Sequence, residues 1–350
     1  MSTPSELASE CMPDTDTQQQ EELLKSLLVT VQHFFGGFSQ LFQPVTEPRN
    51  PRYITYPLAA LGTVGVLMFL FRLGARRQIN AWLRGNGPSA AKFQALFAVE
   101  TCPHGDTLNA AFKQLDPQQL QEVVSGMLKT LIRKKVLYPY RLLDRYFVIA
   151  IDGTGRLTFP VRHCPHCLTA THHGQTIYYH PVLEAKAVFP NGFVFSIMTE
   201  FIENPEEQPR KQDCELQAFY RLAKRLHQAF PRLPICLSMD ALFAGGPTLT
   251  ICEQYDWKYL IVLQEGSIPY VNEEFQALLP LEPQNHLQFH TGPQHKIRQD
   301  YRWINDIAYV DSKDAQHTVA VLECLENKPA ADGPSQTTRF KWITNFTVKS

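Results

Sequence analysis

The spacing of apolar residues changes near Tyr146, and this change limits the folds that the chain can adopt. Before it, residues 21–143 carry apolar side chains three and four positions apart, which is typical of amphipathic helices. After it come short runs of β-branched and aromatic residues, the first of which is Tyr146–Ile151. The chain has 350 residues, enough for two or three domains. We therefore predict a helical domain followed by one built on a sheet.

The order of elements after Tyr146 indicates which sheet this is. Pro190-Asn191-Gly192 between two β-rich runs is a hairpin signal. An order of β-β-β-α-β-α-β predicts three antiparallel strands followed by two parallel ones. This is the order of a ribonuclease H-like fold of the α/β (α+β) class with a mixed five-stranded sheet. The later predicted strands are 176–189, 193–202, 235–240 and 259–264, and the predicted helices are 211–230 and Pro247–Gln254.

Composition divides the chain into four segments. Residues 1–20 are polar and acidic, and we predict a disordered tail. Residues 21–143 form the predicted helical domain, in which Asp116-Pro117 is a capping and first-turn pair for a helix. Residues 144–264 form the predicted ribonuclease H-like core. Residues 265–350 contain short strand-like pieces between polar loops, which predict a β-rich insertion.

One segment is long and apolar enough to suggest a membrane span. Tyr53–Phe71 contains no charged residue, but it includes Pro57, Gly62 and Gly65. We therefore predict a buried helix from about Pro57 to Leu73, with a membrane-anchored, nuclease-like protein as the weaker alternative. The polar amino terminus does not have the pattern of a secretory signal, and the eight cysteines are scattered, so we expect a reducing, cytoplasmic setting and no membrane partner.

Two aspartates follow apolar strands of the predicted sheet. Asp152 ends the first strand and Asp240 ends the fourth. These two strands are neighbours in a ribonuclease H-like sheet, so both carboxylates would meet at one edge. Like charges held so close repel unless a cation lies between them. Carboxylate oxygens suit Mg²⁺ or Mn²⁺, and a pair of such ions is a recurrent device for phosphodiester chemistry.

Several motifs together resemble the DDE transposases of bacterial insertion sequences. The similarity implies that Asp152 and Asp240 are catalytic and bind two Mg²⁺ or Mn²⁺ ions. It also implies an enzyme that cuts element ends and joins the freed 3′ hydroxyl to target DNA. The expected partners are double-stranded DNA, as element ends and target, and a second copy of the chain on DNA, in a bacterial cytoplasm at the nucleoid. The motifs are Pro103–Leu108, Ile149–Gly155, His163–Thr169, Tyr178–Lys186, Thr199–Pro205, Lys211–Phe219 and Asp240–Ala244.

The chain departs from this family at the third acidic residue. The family carries a Glu on a helix after the insertion, whereas this sequence ends in a strand-like segment, "RFKWITNFTVKS". We therefore expect no third acid in this chain and an enzyme that is incomplete and inactive alone. The alternative is a catalytically inactive DNA-binding or regulatory fragment. The glutamates that lie on other predicted elements are Glu253, Glu265, Glu273, Glu274 and Glu323.

A Cys-x-x-Cys motif adds a second candidate metal site. Cys164 and Cys167 are half of a zinc knuckle, which His172 and His173 could complete. The alternatives are an ordinary polar hairpin loop and, more weakly, a thioredoxin-like redox motif.

Basic residues suggest where DNA would bind. The net charge is −1, but residues 48–99 contain no Asp or Glu. Such residues either contact DNA phosphates or form the solvated ends of helices. The candidates are Arg76, Arg77, Arg133, Lys134 and Lys135.

Three polar features near the predicted site have ordinary structural explanations. Asp213 is predicted to cap the helix over 211–230, and Glu215 to be a first-turn charge, with an active-site role as the lesser alternative. Gly153-Thr154-Gly155 is predicted to be a tight turn.

Overall fold

A computed structural model describes residues 15–83, 87–205, 211–292, 296–329 and 335–349. The chain forms two compact units, Met1–Lys135 and Val136–Ser350. Residues 1–14 of the predicted disordered tail lie outside the described residues, whereas residues 15–20 are helical, so the prediction is wrong for that part. We refer to the two units as the helical unit and the sheet unit.

The helical unit contains amphipathic helices, as their apolar spacing predicts. The Asp116 side chain accepts a hydrogen bond from the backbone N–H of Gln118, and Pro117 occupies the first turn of its helix, which confirms the predicted capping pair. The helices are α1 Thr15–Phe35, α2 Phe38–Leu41, α3 Leu58–Leu70, α4 Arg76–Leu83, α5 Pro88–Phe97, α6 Gly105–Phe112 and α7 Pro117–Arg133.

Helix α3 is the apolar segment that suggested a membrane span. Leu61, Val64 and Leu67 are buried on one face, whereas Phe69 is 87% exposed on another. The helix has 13 residues. Within the part of the chain that the structure describes, no helix has the length and apolar character needed to cross a bilayer. The predicted helix is confirmed over Leu58–Leu70, but it is buried on one face and exposed at Val66 and Phe69.

The sheet unit is built on one continuous sheet. The described strands lie in the order β2-β3-β1-β5-β6-β10-β9-β8-β7, and β4 also pairs with β3. The helices of this unit are α8 Glu215–Ala229, α9 Gly246–Gln254 and α10 Pro269–Leu278. The strands are β1 Phe147–Phe159, β2 Leu168–His172, β3 Gln175–Val188, β4 Val194–Phe201, β5 Ile235–Met239, β6 Lys258–Val262, β7 His286–Thr291, β8 Ile297–Val310, β9 Gln316–Lys328 and β10 Gln336–Thr344.

The α+β class and the predicted strand neighbours are confirmed. Strand β3 pairs antiparallel with both β1 and β4, and β5 pairs parallel with both β1 and β6. The sheet has ten described strands instead of five. It is wider because β10 pairs antiparallel with the free edge of β6, with Ile343 opposite Ile261. Strands β7–β10 therefore extend the sheet and do not form a separate layer.

Helix α8 covers one face of the predicted core strands. Its residues Phe219, Leu222 and Leu226 are buried, as are Ile149 in β1 and Leu237 in β5. Burial of a large aliphatic or aromatic side chain contributes about 1.5–3 kcal/mol. Helix α8 lies against β3 and β4, and β3 is the neighbour of β1 in the sheet.

Candidate active site at the end of the β1–β5 ladder

Asp152 and Asp240 occupy matching positions on neighbouring strands. The parallel pairing of β1 with β5 ends at Ile151 and Met239, and the two aspartates are the next residues on each strand. Adjacent strands lie about 4.8 Å apart. Both aspartates are exposed. The structure therefore brings the two predicted site residues to the same edge of the sheet.

The prediction that Asp152 ends its strand is wrong. Strand β1 continues to Phe159 because its other edge stays paired with β3. Gly153-Thr154-Gly155 is consequently not a tight turn but part of the strand, and the register of β1 and β3 shifts between Thr154 and Leu157. Gly155 has φ of +70°, a left-handed conformation that glycine adopts at little cost. What ends at Asp152 is the pairing with β5.

Asp240 is held by the backbone that follows it. Its Oδ1 accepts a hydrogen bond of 3.0 Å from the backbone N–H of Leu242, at the start of the short 3₁₀ helix Ala241–Phe243. The side chain is thereby fixed while remaining exposed. A fixed, exposed carboxylate is suited to binding a cation.

Glu215 at the start of α8 joins the two aspartates. A Cβ atom placed on Gly153 would lie 2.4 Å from Oε1 of Glu215, so the carboxyl group sits directly against the β1 backbone. Burial raises the pKa of Glu215, and the negative charges of Asp240 and then Asp152 raise it further. Glu215 is thus a first-turn residue, as predicted, and it is also near enough to both aspartates for their charges to act on it. From the sequence, this second role was the lesser alternative.

Asp213 does not cap α8. The capping position is Cys214, which makes no side-chain capping bond. Asp213 instead forms an ion pair of 2.7 Å with Arg221 and accepts a hydrogen bond from the backbone N–H of Glu203. These contacts make Asp213 a structural residue that ties the segment before α8 to the helix.

Glu184 is a further carboxylate beside the site, and it was not among the residues predicted from the sequence. It lies directly opposite Asp152 in the β1–β3 pair, and opposed residues of an antiparallel pair share a face of the sheet. Its two oxygens accept hydrogen bonds from the hydroxyls of Ser196 and Thr199. The signal for it was a glutamate within the otherwise apolar run of β3.

Asp152, Asp240, Glu215 and Glu184 form an acidic cluster that is open. In the described ranges, three donor atoms within 4.8 Å of one another occur only at Cys164, Cys167 and His180, so the carboxylates do not converge on a single point.

The Cys-x-x-Cys motif lies against a histidine other than the two predicted. Nε2 of His180 lies 3.2 Å from the sulfur of each cysteine. His172 and His173 are exposed at the end of the β2–β3 hairpin, where their rings contact each other. The strand register, which the spacing of residues does not reveal, selects His180.

The predicted DNA-contacting residues all belong to the helical unit. Arg76 and Arg77 begin α4, and Arg133 ends α7 with Lys134 and Lys135 directly after it. All five side chains are exposed. The side chain of Arg133 donates to Thr130, and that of Lys134 donates to the backbone carbonyl of His33. Their role toward DNA stays a prediction.

The five glutamates that were excluded as the third acid lie outside β1, β5 and α8. Glu253 accepts a hydrogen bond of 2.8 Å from His317, and Glu323 is fully buried against Arg302 and Arg339. Glu273 and Glu274 lie on α10, and Glu265 precedes that helix.

The helical unit is similar to a known protein family. Residues 39–127 match the family model described as DDE_Tnp_1-associated. No curated protein matches the chain. The matched residues belong to the helical unit and do not include the acidic cluster. The match therefore connects the chain with DDE-family transposases through its helical unit.

Proposed function

We propose that this chain is a DNA transposase of the DDE type with a ribonuclease H-like core, in which Asp152 and Asp240 bind two Mg²⁺ or Mn²⁺ ions. The observation that carries the proposal is the matching position of both aspartates directly after the β1–β5 pairing. The family match in the helical unit supports the same conclusion from an independent part of the chain.

The donor set fits hard divalent cations. It consists of carboxylate oxygens, which Mg²⁺ and Mn²⁺ prefer, and the aspartates are exposed to incoming ions and DNA. The effect of both aspartates on Glu215 places all three acidic groups within electrostatic reach of one another. Cations would relieve the repulsion among them, and we therefore propose Glu215 as a third acidic group of this site, which replaces the expectation that the chain supplies none.

The protein would position the reacting groups. Bound ions of this kind supply activation of a water or 3′ hydroxyl and stabilisation of the leaving oxygen. Asp240 is oriented by its bond to Leu242, and the edge of the sheet keeps Asp152 in register with it. Glu184, held by two hydroxyls, adds negative charge beside Asp152.

Metal binding gives the first test. We expect Asp152→Asn and Asp240→Asn to weaken Mn²⁺ binding to the full chain by at least about tenfold, which corresponds to about 1.4 kcal/mol, and Glu215→Gln to weaken it less. Electron paramagnetic resonance of free Mn²⁺ measures this directly. Glu273→Gln, which removes an exposed carboxylate from α10, is the matched control. Equal Mn²⁺ binding by all four variants would reject the site.

DNA chemistry gives the second test. Labelled duplexes from the DNA on either side of the coding sequence are incubated with the chain and Mg²⁺ or Mn²⁺. The proposal predicts cleavage or joining that Asp152→Asn abolishes and Glu273→Gln does not. DNA binding without any metal-dependent cleavage would instead support a non-catalytic regulatory protein.

A further inference from the structure

The β1–β2 loop and strand β3 bring two sulfurs and one imidazole nitrogen together. The Sγ atoms of Cys164 and Cys167 are 3.7 Å apart, and Nε2 of His180 is 3.2 Å from each of them. Cys167 is fully buried, and the other two residues are partly buried. Three soft or borderline donors thus form a nearly equilateral triangle at one end of the sheet.

The triangle has the dimensions of one face of a zinc tetrahedron. Ordinary Zn–S and Zn–N bonds of about 2.3 and 2.0 Å place two sulfurs about 3.8 Å apart and a sulfur and a nitrogen about 3.5 Å apart. The observed separation of the sulfurs is 3.7 Å. A small movement of the imidazole would lengthen the two sulfur-to-nitrogen distances from 3.2 Å to the expected value. Two thiolates with one imidazole is a donor set that favours zinc over Mg²⁺ or Mn²⁺.

The surrounding backbone holds the ligands in place. The side chain of Asn204, which is buried, donates a 3.0 Å hydrogen bond to the carbonyl of Cys167, and its backbone N–H donates to the carbonyl of His166. Nδ1 of His166 lies 2.7 Å from the carbonyl of Asn204. This contact engages Nδ1 of His166, which lies between the two cysteines in sequence but is not part of the triangle.

We propose that Cys164, Cys167 and His180 bind one zinc ion, with water as the fourth ligand. Within the described residues, no fourth His, Cys, Asp or Glu donor joins this group. The site differs from the acidic cluster in ligand type and in position, because His180 lies opposite Leu157 in β1, whereas Asp152 lies opposite Glu184. Glu184 and His180 are four positions apart along β3, which corresponds to about 13 Å. The zinc site therefore does not depend on the proposed transposase activity.

The ion would have a structural effect on α8. Residues 160–167 contain no regular secondary structure, so the ion would fix their backbone. Asn204, which this backbone holds, accepts a hydrogen bond from the N–H of Asp213 just before α8. Loss of zinc should therefore loosen both the loop and the start of α8.

Metal analysis of the full chain tests the proposal. Chain purified from zinc-supplemented cells should carry about one equivalent of zinc. Cys164→Ser, Cys167→Ser and His180→Ala should each lose it. The matched controls are His172→Ala and His173→Ala, which alter nearby exposed histidines, and Cys236→Ser, which alters a buried cysteine of β5; all three should retain the ion.

A second measurement uses the wild-type chain alone and so does not depend on whether a variant folds. After zinc removal by a chelator, Co²⁺ should produce thiolate-to-cobalt absorption, and addition of Zn²⁺ should abolish it. Hydrogen exchange should be faster in the metal-free chain at residues 160–167 and 211–215. A folded chain that binds neither ion would overturn the proposal. So would an intact mass two hydrogens lower with no metal bound, since that result would identify a disulfide.

Discussion

The acidic cluster depends on a residue that lacks a side chain. Gly153 leaves the space that the carboxyl group of Glu215 fills, at 2.4 Å from the position a Cβ would take. The contact involves the flexible end of Glu215 and not a backbone atom. A methyl group at this position would therefore displace the carboxyl group of Glu215 without disturbing β1.

We predict that Gly153→Ala separates function from stability. The free energy of unfolding should change by less than about 1 kcal/mol, since a strand accepts alanine. Mn²⁺ binding should fall as it does in Glu215→Gln. Urea unfolding and Mn²⁺ titration measure the two effects. Gly126→Ala, where a new Cβ would meet nothing within 4 Å, should leave metal binding unchanged. Unaltered Mn²⁺ binding by Gly153→Ala would remove Glu215 from the site.

Individual residues were predictable where the signal was local. Asp152 and Asp240 could be chosen because each follows an apolar run, and neighbouring strands place both at one edge. His180 could not be chosen among its neighbours, because its position depends on the register shift between Thr154 and Leu157. The proximity of Glu215 to the aspartates depends on the packing of α8, which spacing alone does not determine.

At the scale of elements, the turn between β8 and β9 is organised around the carboxyl group of Asp311. Oδ1 of Asp311 accepts hydrogen bonds of 2.8 and 3.0 Å from the backbone N–H groups of Lys313 and Ala315. Its Oδ2 lies 3.6 Å from Nε2 of His317, whose other ring nitrogen contacts Glu253. The two backbone hydrogen bonds lower the pKa of Asp311; burial opposes them, and His317 adds to the lowering.

Asp311 should make the free energy of unfolding fall as the pH is lowered. A carboxyl whose pKa is lower in the folded state stabilises the fold above its unfolded pKa, about 3.9, and loses that contribution as pH falls through the folded pKa. Asp311→Asn should therefore be less stable than wild type at pH 7, and the difference should shrink as pH falls below about 4. Urea unfolding at several pH values measures it.

A neighbouring aspartate provides the control for this prediction. Asp314 is exposed in the same turn and has φ of 61°, a conformation that asparagine tolerates. Asp314→Asn should change stability little at any pH. A stability difference between Asp311→Asn and wild type that is constant from pH 7 to strongly acidic pH would contradict the role of the charge.

Elements were predicted best where their signals lie within a few residues. The capping pair Asp116-Pro117 marks the start of α7, and Gly192, with φ of +84°, lies in the predicted hairpin turn. Pairing between distant strands was harder to foresee. Ile343 in β10 pairs with Ile261 in β6, and no local pattern connects these residues. For this reason the sheet proved wider than predicted.

At the scale of the whole molecule, the family match and the candidate metal sites lie in different units. The helical unit contains the family match and the exposed basic residues, whereas the sheet unit contains both candidate metal sites. A DDE-type enzyme must bind DNA as well as cut it. Because binding to phosphates is electrostatic, its contribution can be measured separately from chemistry.

We predict that five basic residues of the helical unit contribute to DNA binding by the full chain. Replacing its five candidate residues with glutamine should weaken binding to duplex DNA of any sequence. It should also reduce the slope of log affinity against log salt by about 0.9 for each phosphate that the variant no longer neutralises. Fluorescence anisotropy at several salt concentrations measures both effects. The residues replaced are Arg76, Arg77, Arg133, Lys134 and Lys135.

A second five-fold variant separates a specific surface from a general loss of charge. It removes the same number of exposed positive charges from the sheet unit and should leave the slope closer to that of wild type. If both variants reduce the slope equally, long-range charge and not local phosphate binding governs affinity, and the assignment of the helical unit fails. The control residues are Lys224, Arg232, Lys313, Lys328 and Lys349.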